Sequence, residues 1–396
     1  MQSNSDDFTF LVGNYEILEH MPQTPALPAF SDEMTGFLSA LSRELLKDKR
    51  AKEFTDIVSY AYWIRRASLE AVKERHTDRA DRIGRGVAFH IAPSNVPVNF
   101  AVSMTSSALA GNATLIRLSN KPFEQVEIIC EAMNRLLDSE YACLKSYFCL
   151  IRYEHSDAIT RDLSEMCDLR VIWGGNRTIN TIRQAPLPPR AIEMAFADRH
   201  SIAVVDAEEY LQADAKEVAK GFYTDTYYTD QNACSSPRIV IWLGKHVKEA
   251  RERFWQELGN LVRQDYKMQP IQAVDKFSSA CMLGMGKGCG KLVSDDNYVV
   301  RVEVDKLTED LMDYKNGGGY FFEYVADALD ELVPILNKQC QTVSVLGVSK
   351  GEIKKVVFWY GVRGVDRIVP LGQTMGLEFI WDGFKMIEQM TRYVYG

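Results

Sequence analysis

The sequence has no CxxC pair, no cluster of histidine and cysteine at zinc-ligand spacing, no long apolar run and no excess of positive charge. Its eight cysteines stand at positions 130, 143, 149, 167, 234, 281, 289 and 340. That scatter offers neither a metal knuckle nor a disulfide framework, and a chain this long without a secretion signal is expected to keep its thiols reduced. A formal net charge of -8 argues against a nucleic-acid-binding surface. No apolar stretch approaches the roughly 18 residues that a membrane span needs. The opening residues, Met1 to Asp7, have neither the basic nor the apolar segment of an export signal. The expectation is a cytoplasmic protein without a metal, a nucleic-acid partner or a membrane span.

What is present is ordinary for a folded chain. The 396 residues, with 46% hydrophobic and 25% charged side chains, suffice for two or three domains with substantial cores. Ser31-Asp32-Glu33 precedes an apolar stripe of Phe37, Leu38, Leu41, Leu45 and Leu46 and predicts a capped helix. A second helix is predicted over about 52–75. From Gly86 the texture changes to short apolar runs, 86–92, 113–118, 147–151, 169–173 and 202–206, separated by helical or turn-like stretches. Strand and helix alternating at this spacing predict a parallel sheet with crossover helices, an α/β fold. Further on, helices are predicted near 247–263 and 324–337, and strands near 299–304, 342–346 and 356–360.

Several residues are placed for chemistry. Asp230-Gln-Asn-Ala-Cys234-Ser-Ser-Pro-Arg238 follows the pair Tyr227-Tyr228 and enters the β-rich run Ile239 to Leu243, so Cys234 stands where a loop meets a strand. Such a thiol can be both rigid and reachable, although most cysteines simply pack. Asn95, between Pro93 and Pro97, has a restricted backbone and an amide that suits an oxyanion donor, against the simpler reading of a turn asparagine. Gly174-Gly175 ends an apolar strand and can open a helix, a place for a diphosphate. Glu193 lies inside the apolar segment Ala191 to Phe196, where a raised pKa would suit a general base; the competing reading is a strand end facing water. The run Gly284-Met-Gly-Lys-Gly-Cys-Gly-Lys291 imitates a phosphate loop but has Met285 at the first required glycine and Leu292 where Ser or Thr belongs.

In order, Gly86 to Pro97, Ala110 to Arg117, Gly174-Gly175, Glu193 and Gln231 to Cys234 resemble the motifs of the aldehyde dehydrogenase superfamily. His90-Ile-Ala-Pro-Ser-Asn-Val-Pro97, Asp366 to Gly372 and Trp381-Asp-Gly383 resemble its LuxC-type acyl-CoA reductase branch. The resemblance implies a Rossmann-like dinucleotide-binding domain over 1–205, an α/β catalytic domain over 206–375, and a tail, 376–396, that rejoins the first domain. It implies Cys234 as nucleophile, Asn95 as oxyanion donor and Glu193 as general base. Ala92, Pro93, Ser94, Arg117, Asn120, Gly174 and Gly175 would hold the cofactor, with Glu323 a candidate for the nicotinamide ribose. Asn120, three residues after Arg117, stands where NAD-preferring relatives often carry glutamate. That neutral residue beside a guanidinium favours NADPH, with NADH the alternative. The motif around Glu193 departs from the family pattern.

The implied reaction is reduction of an acyl-CoA or acyl adenylate, fatty acyl in character, to an aldehyde through a Cys234 thioester. A homo-oligomer, at least a dimer, and an acyl-transferring partner protein are the implied company. Three rival readings keep the same residues: an aldehyde dehydrogenase working in the oxidising direction, a non-catalytic subunit, and a cysteine hydrolase. None of the six histidines shares a local motif with Cys234, which counts against the hydrolase.

Overall fold

The computed structural model describes residues 5–287 and 291–396. They form two compact units, the first running to Ala197 and including Leu377–Gly396, the second spanning Asp198–Gly376. The boundary expected at 205 therefore falls inside a strand of the second unit. The apolar run 202–206 is a strand as predicted, but it pairs with the sheet that follows it.

In the first unit, β1 (Thr9–Val12), β2 (Arg82–Gly84), β3 (Val87–Ile91), β4 (Ala113–Arg117), β5 (Phe148–Arg152), β6 (Leu169–Trp173) and β7 (Ile192–Phe196) appear in that order. The sheet runs β1-β5-β4-β3-β6-β7, parallel from β5 to β7 with β1 antiparallel at one edge. β4 and β5 lie to one side of β3 while β6 and β7 lie to the other, so the order reverses at β3. In open parallel sheets that reversal leaves a crevice at the carboxyl ends of the strands, where nucleotides bind. Every residue of β3 is buried, as a strand covered on both faces must be. Ser31 caps the helix Asp32–Lys47 by accepting the Met34 N–H. The helix predicted over 52–75 is two helices, Thr55–Trp63 and Arg66–Arg75.

The second unit contains β8 (His200–Asp206), β9 (Pro237–Leu243), β10 (Lys291–Val293), β11 (Val300–Glu303), β12 (Tyr320–Val325), β13 (Cys340–Leu346) and β14 (Arg367–Pro370). Its sheet runs β10-β11-β12-β9-β8-β13-β14, with only β10 antiparallel. Side-chain alternation divides the core cleanly: Ile202, Val204, Ile239 and Ile241 pack on one face, Ala203, Val205, Val240 and Trp242 on the other. The helix Val247–Asp265 covers the second face with Phe254, Leu258 and Val262.

Two sequence expectations fail here. Val356 to Tyr360, β-branched and aromatic, ends the helix Lys350–Tyr360, because a Ser349/Glu352 capping box starts it and Gly361 in the left-handed region stops it. The helix expected over 324–337 is the end of β12 and a 3-10 turn, Leu329–Ile335, interrupted by Pro334. The helix Pro270–Lys287 absorbs the start of the false phosphate loop; Gly288, Cys289 and Gly290 lie outside the described residues. The chain finishes in the first unit with a hairpin of β15 (Ile380–Trp381) and β16 (Phe384–Lys385), then β17 (Thr391–Tyr393) paired antiparallel with β2.

Three buried titratable groups contribute to the acid behaviour. Burial pushes His90 on β3 and His200 on β8 down to about 3, and pushes Asp225 up to about 6 although it accepts N–H bonds from Gly372 and Thr374. Each histidine gains a proton on unfolding below about pH 6.5, so stability falls toward acid with a slope of about 1.4 kcal/mol per pH unit per histidine. Asp225 acts with the opposite sign between about pH 6 and 4, where the folded form holds the proton. Urea denaturation across this range should give a shallower acid limb for His90→Gln and a steeper one for Asp225→Asn. An unchanged slope in His90→Gln contradicts the assignment.

Candidate active site

The loop carrying Cys234 leaves the helix Ala215–Asp225 through a 3-10 turn, Tyr227–Thr229, and enters β9 at Pro237. Asp230 and Gln231 both take left-handed backbone angles, φ 53 and φ 57. Without glycine each costs on the order of 1–3 kcal/mol, which the surroundings must offset. Tyr266 Oη donates to Asp230 Oδ1 at 2.5 Å. The fully buried Gln231 amide is satisfied on both sides. Its Oε1 accepts from Gly319 N and Tyr320 N at 2.7 and 3.1 Å, and its Nε2 donates to the carbonyls of Pro237 and Tyr320 at 3.1 and 3.3 Å. Beneath them, the buried Arg238 guanidinium donates to the Gln231 carbonyl and, at 2.6 Å, to the Asn316 carbonyl. Burial lowers its pKa to about 10, with Asp198 and Cys234 opposing the change, so Arg238 remains a cation at neutral pH.

Cys234 itself is half-buried and is tied to two strands at their amino ends. Thr342 N on β13 donates to Ser201 Oγ on β8 at 3.2 Å, and Ser201 Oγ donates to the Cys234 carbonyl at 2.8 Å. Gln341 Nε2 donates to Cys234 Sγ at 3.0 Å. The other described thiols are differently placed. Cys130, Cys149, Cys167 and Cys340 are buried with their pKa values pushed up by desolvation, Cys167 and Cys340 to about 12, while Cys143 and Cys281 are exposed. Among the described cysteines, Cys234 combines partial exposure with a hydrogen bond onto its sulfur from the Gln341 side chain.

In the first unit, the carboxyl ends of β4, β5 and β6 open onto a cavity of about 340 Å³ lined by Arg117, His155, Arg161, Arg177, Thr178 and Thr181, among others, with Asp157 a carboxylate on its wall. Arg117 stacks its guanidinium over Tyr153 at 4.6 Å, and its Nε is a buried donor with no hydrogen-bond partner among the described residues. A cluster of guanidiniums around a hollow, one with an idle donor, fits an anionic ligand such as a nucleotide phosphate. Ala92 N donates to the Arg117 carbonyl at 3.0 Å, joining the loop after β3 to the end of β4. Pro93 and Ser94 continue that loop, and Asn95 is exposed on it. Gly174 and Gly175 follow β6; the Gly174 N–H donates to Phe196, and Gly175 caps the helix Asn176–Ile182, whose Arg177 and Thr178 reach the cavity. Asn120 is not among the lining residues and donates to Glu154 at 3.2 Å.

Glu193 sits on β7 with both carboxylate oxygens engaged. Oε2 accepts from Arg170 Nε and Nη2 at 2.9 and 2.6 Å, and Oε1 accepts from Arg183 Nε at 2.6 Å. Arg170 is buried and also donates to the carbonyls of Ile182 and Ala185. This clamp holds Glu193 as a brace between β6, β7 and the turn after 182, with both carboxylate oxygens occupied, an arrangement at odds with a proton carrier. Glu323 requires a plainer correction. Its side chain on β12 is fully enclosed, accepting from Trp242 Nε1, Trp255 Nε1 and Arg251 at 2.8, 2.6 and 2.9 Å, with a second Arg251 bond at 2.7 Å. It has no face left for a ribose. Sequence reasoning missed Gln341, Ser201, Arg161 and Arg177. Gln341 lies 107 residues from Cys234, and nothing local marks it.

A family model described as acyl-CoA reductase (LuxC) matches residues 11–393. Two relatives carry the name long-chain acyl-protein thioester reductase. The one from Photorhabdus luminescens is 22% identical over 320 residues, covering 78% of this chain and 63% of that protein. The one from Vibrio harveyi is 22% identical over 320 residues, covering 78% of this chain and 64% of its own. The chain thus spans somewhat under two thirds of the length of these relatives. Among solved structures, an NAD-dependent benzaldehyde dehydrogenase from Corynebacterium glutamicum superposes with a TM-score of 0.69 at 14% identity, covering 99% of this chain and 95% of that one. At that identity the likeness establishes an aldehyde dehydrogenase fold.

Glu323→Gln should destabilise the protein by about 2 kcal/mol, because the charge-assisted bonds from Arg251 and the two indole N–H groups are weakened while Glu303 still pairs with Arg251 at 2.9 Å. Its Michaelis constant for nicotinamide nucleotide should remain within about twofold of the parent under conditions where both are folded. A large change in that constant with intact stability would restore the ribose role.

Proposed function

The chain belongs to the acyl-CoA reductase (LuxC) family, and from that premise we propose that it reduces an activated long-chain acyl group to the aldehyde through a thioester on Cys234. The observation that carries this reading is the placement of Cys234: half-buried, tied at its carbonyl by Ser201, and receiving a hydrogen bond on its sulfur. A thiol so held is positioned for attack without being free to wander.

The Cys234 thiolate attacks the acyl carbon, a carbon–sulfur bond forms, and the donor departs with the electron pair of its former bond. A nicotinamide dinucleotide, when bound, supplies hydride to that carbon. With a proton taken up at oxygen, the product is a thiohemiacetal. Its collapse breaks the carbon–sulfur bond, returns the electron pair to Cys234 and releases the aldehyde. The names of the Photorhabdus and Vibrio relatives favour a protein-bound thioester as one donor, and the family description favours the CoA thioester as another. Both present the same acyl–sulfur bond to Cys234.

For the cofactor, the cluster of Arg117, Arg161 and Arg177 around one hollow supports NADPH. Guanidiniums suit a phosphate ester, and the three of them outnumber the single carboxylate, Asp157, on the same wall. The idle Nε donor of Arg117 fits the same reading.

Two measurements test these claims. Exposure of the purified protein to long-chain acyl-CoA without cofactor should give an acyl adduct by intact mass, absent in Cys234→Ala. No adduct with either CoA or protein thioesters, or oxidation of aldehyde as the only activity, overturns the proposal. Arg177→Ala should raise the Michaelis constant for NADPH on the order of tenfold, the loss of one charge-assisted hydrogen bond, and leave that for NADH unchanged. Equal effects on both cofactors would remove the case for a 2′-phosphate site.

A further inference from the structure

The Cys234 sulfur is held by a side chain from a distant strand, β13. Gln341 is the second residue of β13 and is buried, with its Nε2 3.0 Å from Cys234 Sγ. At the other end of the amide Thr342 Oγ1 donates to Gln341 Oε1 at 3.2 Å, so the oxygen faces threonine and the N–H faces sulfur. The Gln341 carbonyl is anchored in turn by the Asp366 N–H at 2.9 Å, which holds the strand that presents the amide.

We propose that Gln341 is a catalytic residue of this protein, its side-chain N–H stabilising the Cys234 thiolate as the attacking group and again as the leaving group. The inference rests on the reading of Cys234 as nucleophile. A buried N–H donor prefers a charged acceptor to a neutral thiol, because hydrogen bonds to ionised groups are roughly twice as strong. The Arg238 cation beneath the same loop acts in the same direction through space. Lowering a thiol pKa by about one unit from 8.5 raises the thiolate fraction at pH 7 nearly tenfold, while intrinsic nucleophilicity falls only about threefold. Acylation therefore gains. The second benefit comes at the end of the cycle, when the carbon–sulfur bond of the thiohemiacetal breaks. Its electron pair returns to sulfur, and a thiolate of lower basicity leaves faster.

The test is the pH profile of Cys234 alkylation by iodoacetamide, read on the Cys234 peptide by mass spectrometry so that the other thiols do not contribute. Gln341→Met keeps length and removes the donor; Gln341→Glu keeps shape and replaces the N–H with an acceptor. With thermal melting used to confirm folding, the midpoint should rise by about one pH unit in Gln341→Met and further in Gln341→Glu. If Gln341→Glu does not fold, Gln341→Met alone decides. Profiles that superimpose on the parent overturn the proposal and leave Gln341 a packing residue. Failure here is separable from failure of the nucleophile reading. A shifted profile without any acyl adduct would retain the hydrogen bond and reject Cys234 as acyl carrier, whereas an adduct with an unshifted profile would do the reverse.

Discussion

The loop that carries Cys234 depends on a single constraint: two consecutive non-glycine residues, Asp230 and Gln231, are held in left-handed conformations by a buried polar network. Gln231 makes its four side-chain hydrogen bonds to backbone groups of Pro237, Gly319 and Tyr320. The Arg238 guanidinium closes the loop on itself by donating to the Gln231 carbonyl. These bonds fix where the chain turns, and Cys234 follows within three residues. A loop that relied on its own propensities would relax to commoner angles and move the sulfur. Because every partner is backbone or buried, the conformation is set by the sheet beneath it.

Charge is used in two distinct ways across the molecule. Glu193 and Glu323 are fully engaged, the first by Arg170 and Arg183, the second by Arg251 and two tryptophan N–H groups. Such pairs are costly to break and have no spare capacity for a ligand. Arg117, Arg161 and Arg177 instead surround a hollow. The distinction lies in satisfaction, which depends on partners distant in sequence: glutamate in an apolar sequence looks the same whether it is an idle base or half of an ion pair.

That difference accounts for how much could be read from the sequence. The alternation of short apolar runs with helical stretches was legible because strands buried on both faces have a distinctive texture, and β3 to β6 lie where the runs at 86–92, 113–118, 147–151 and 169–173 stand. The helix at Val356 to Tyr360 was not, since its residues favour strands and its caps, Ser349 and Gly361, lie outside the run. The division after Ala197 was misplaced by a few residues because β7 and β8 are adjacent in sequence yet belong to different sheets. Glu323 was misread because proximity to a glycine-rich turn says nothing of Arg251 and Trp255, about seventy residues away. Gln341 carried no local signal at all; only sheet pairing through β8 brings β13 beside the cysteine loop.

The central claim is that Cys234 carries the acyl group until hydride reaches it. The most direct measurement is a single turnover: acylated protein, freed of excess donor, is mixed with NADPH bearing deuterium at the transferable position. One aldehyde per Cys234 adduct should form, with deuterium on its carbonyl carbon, as the adduct mass disappears. Release of the acyl group as carboxylic acid, or an adduct that persists in the presence of cofactor, would contradict it.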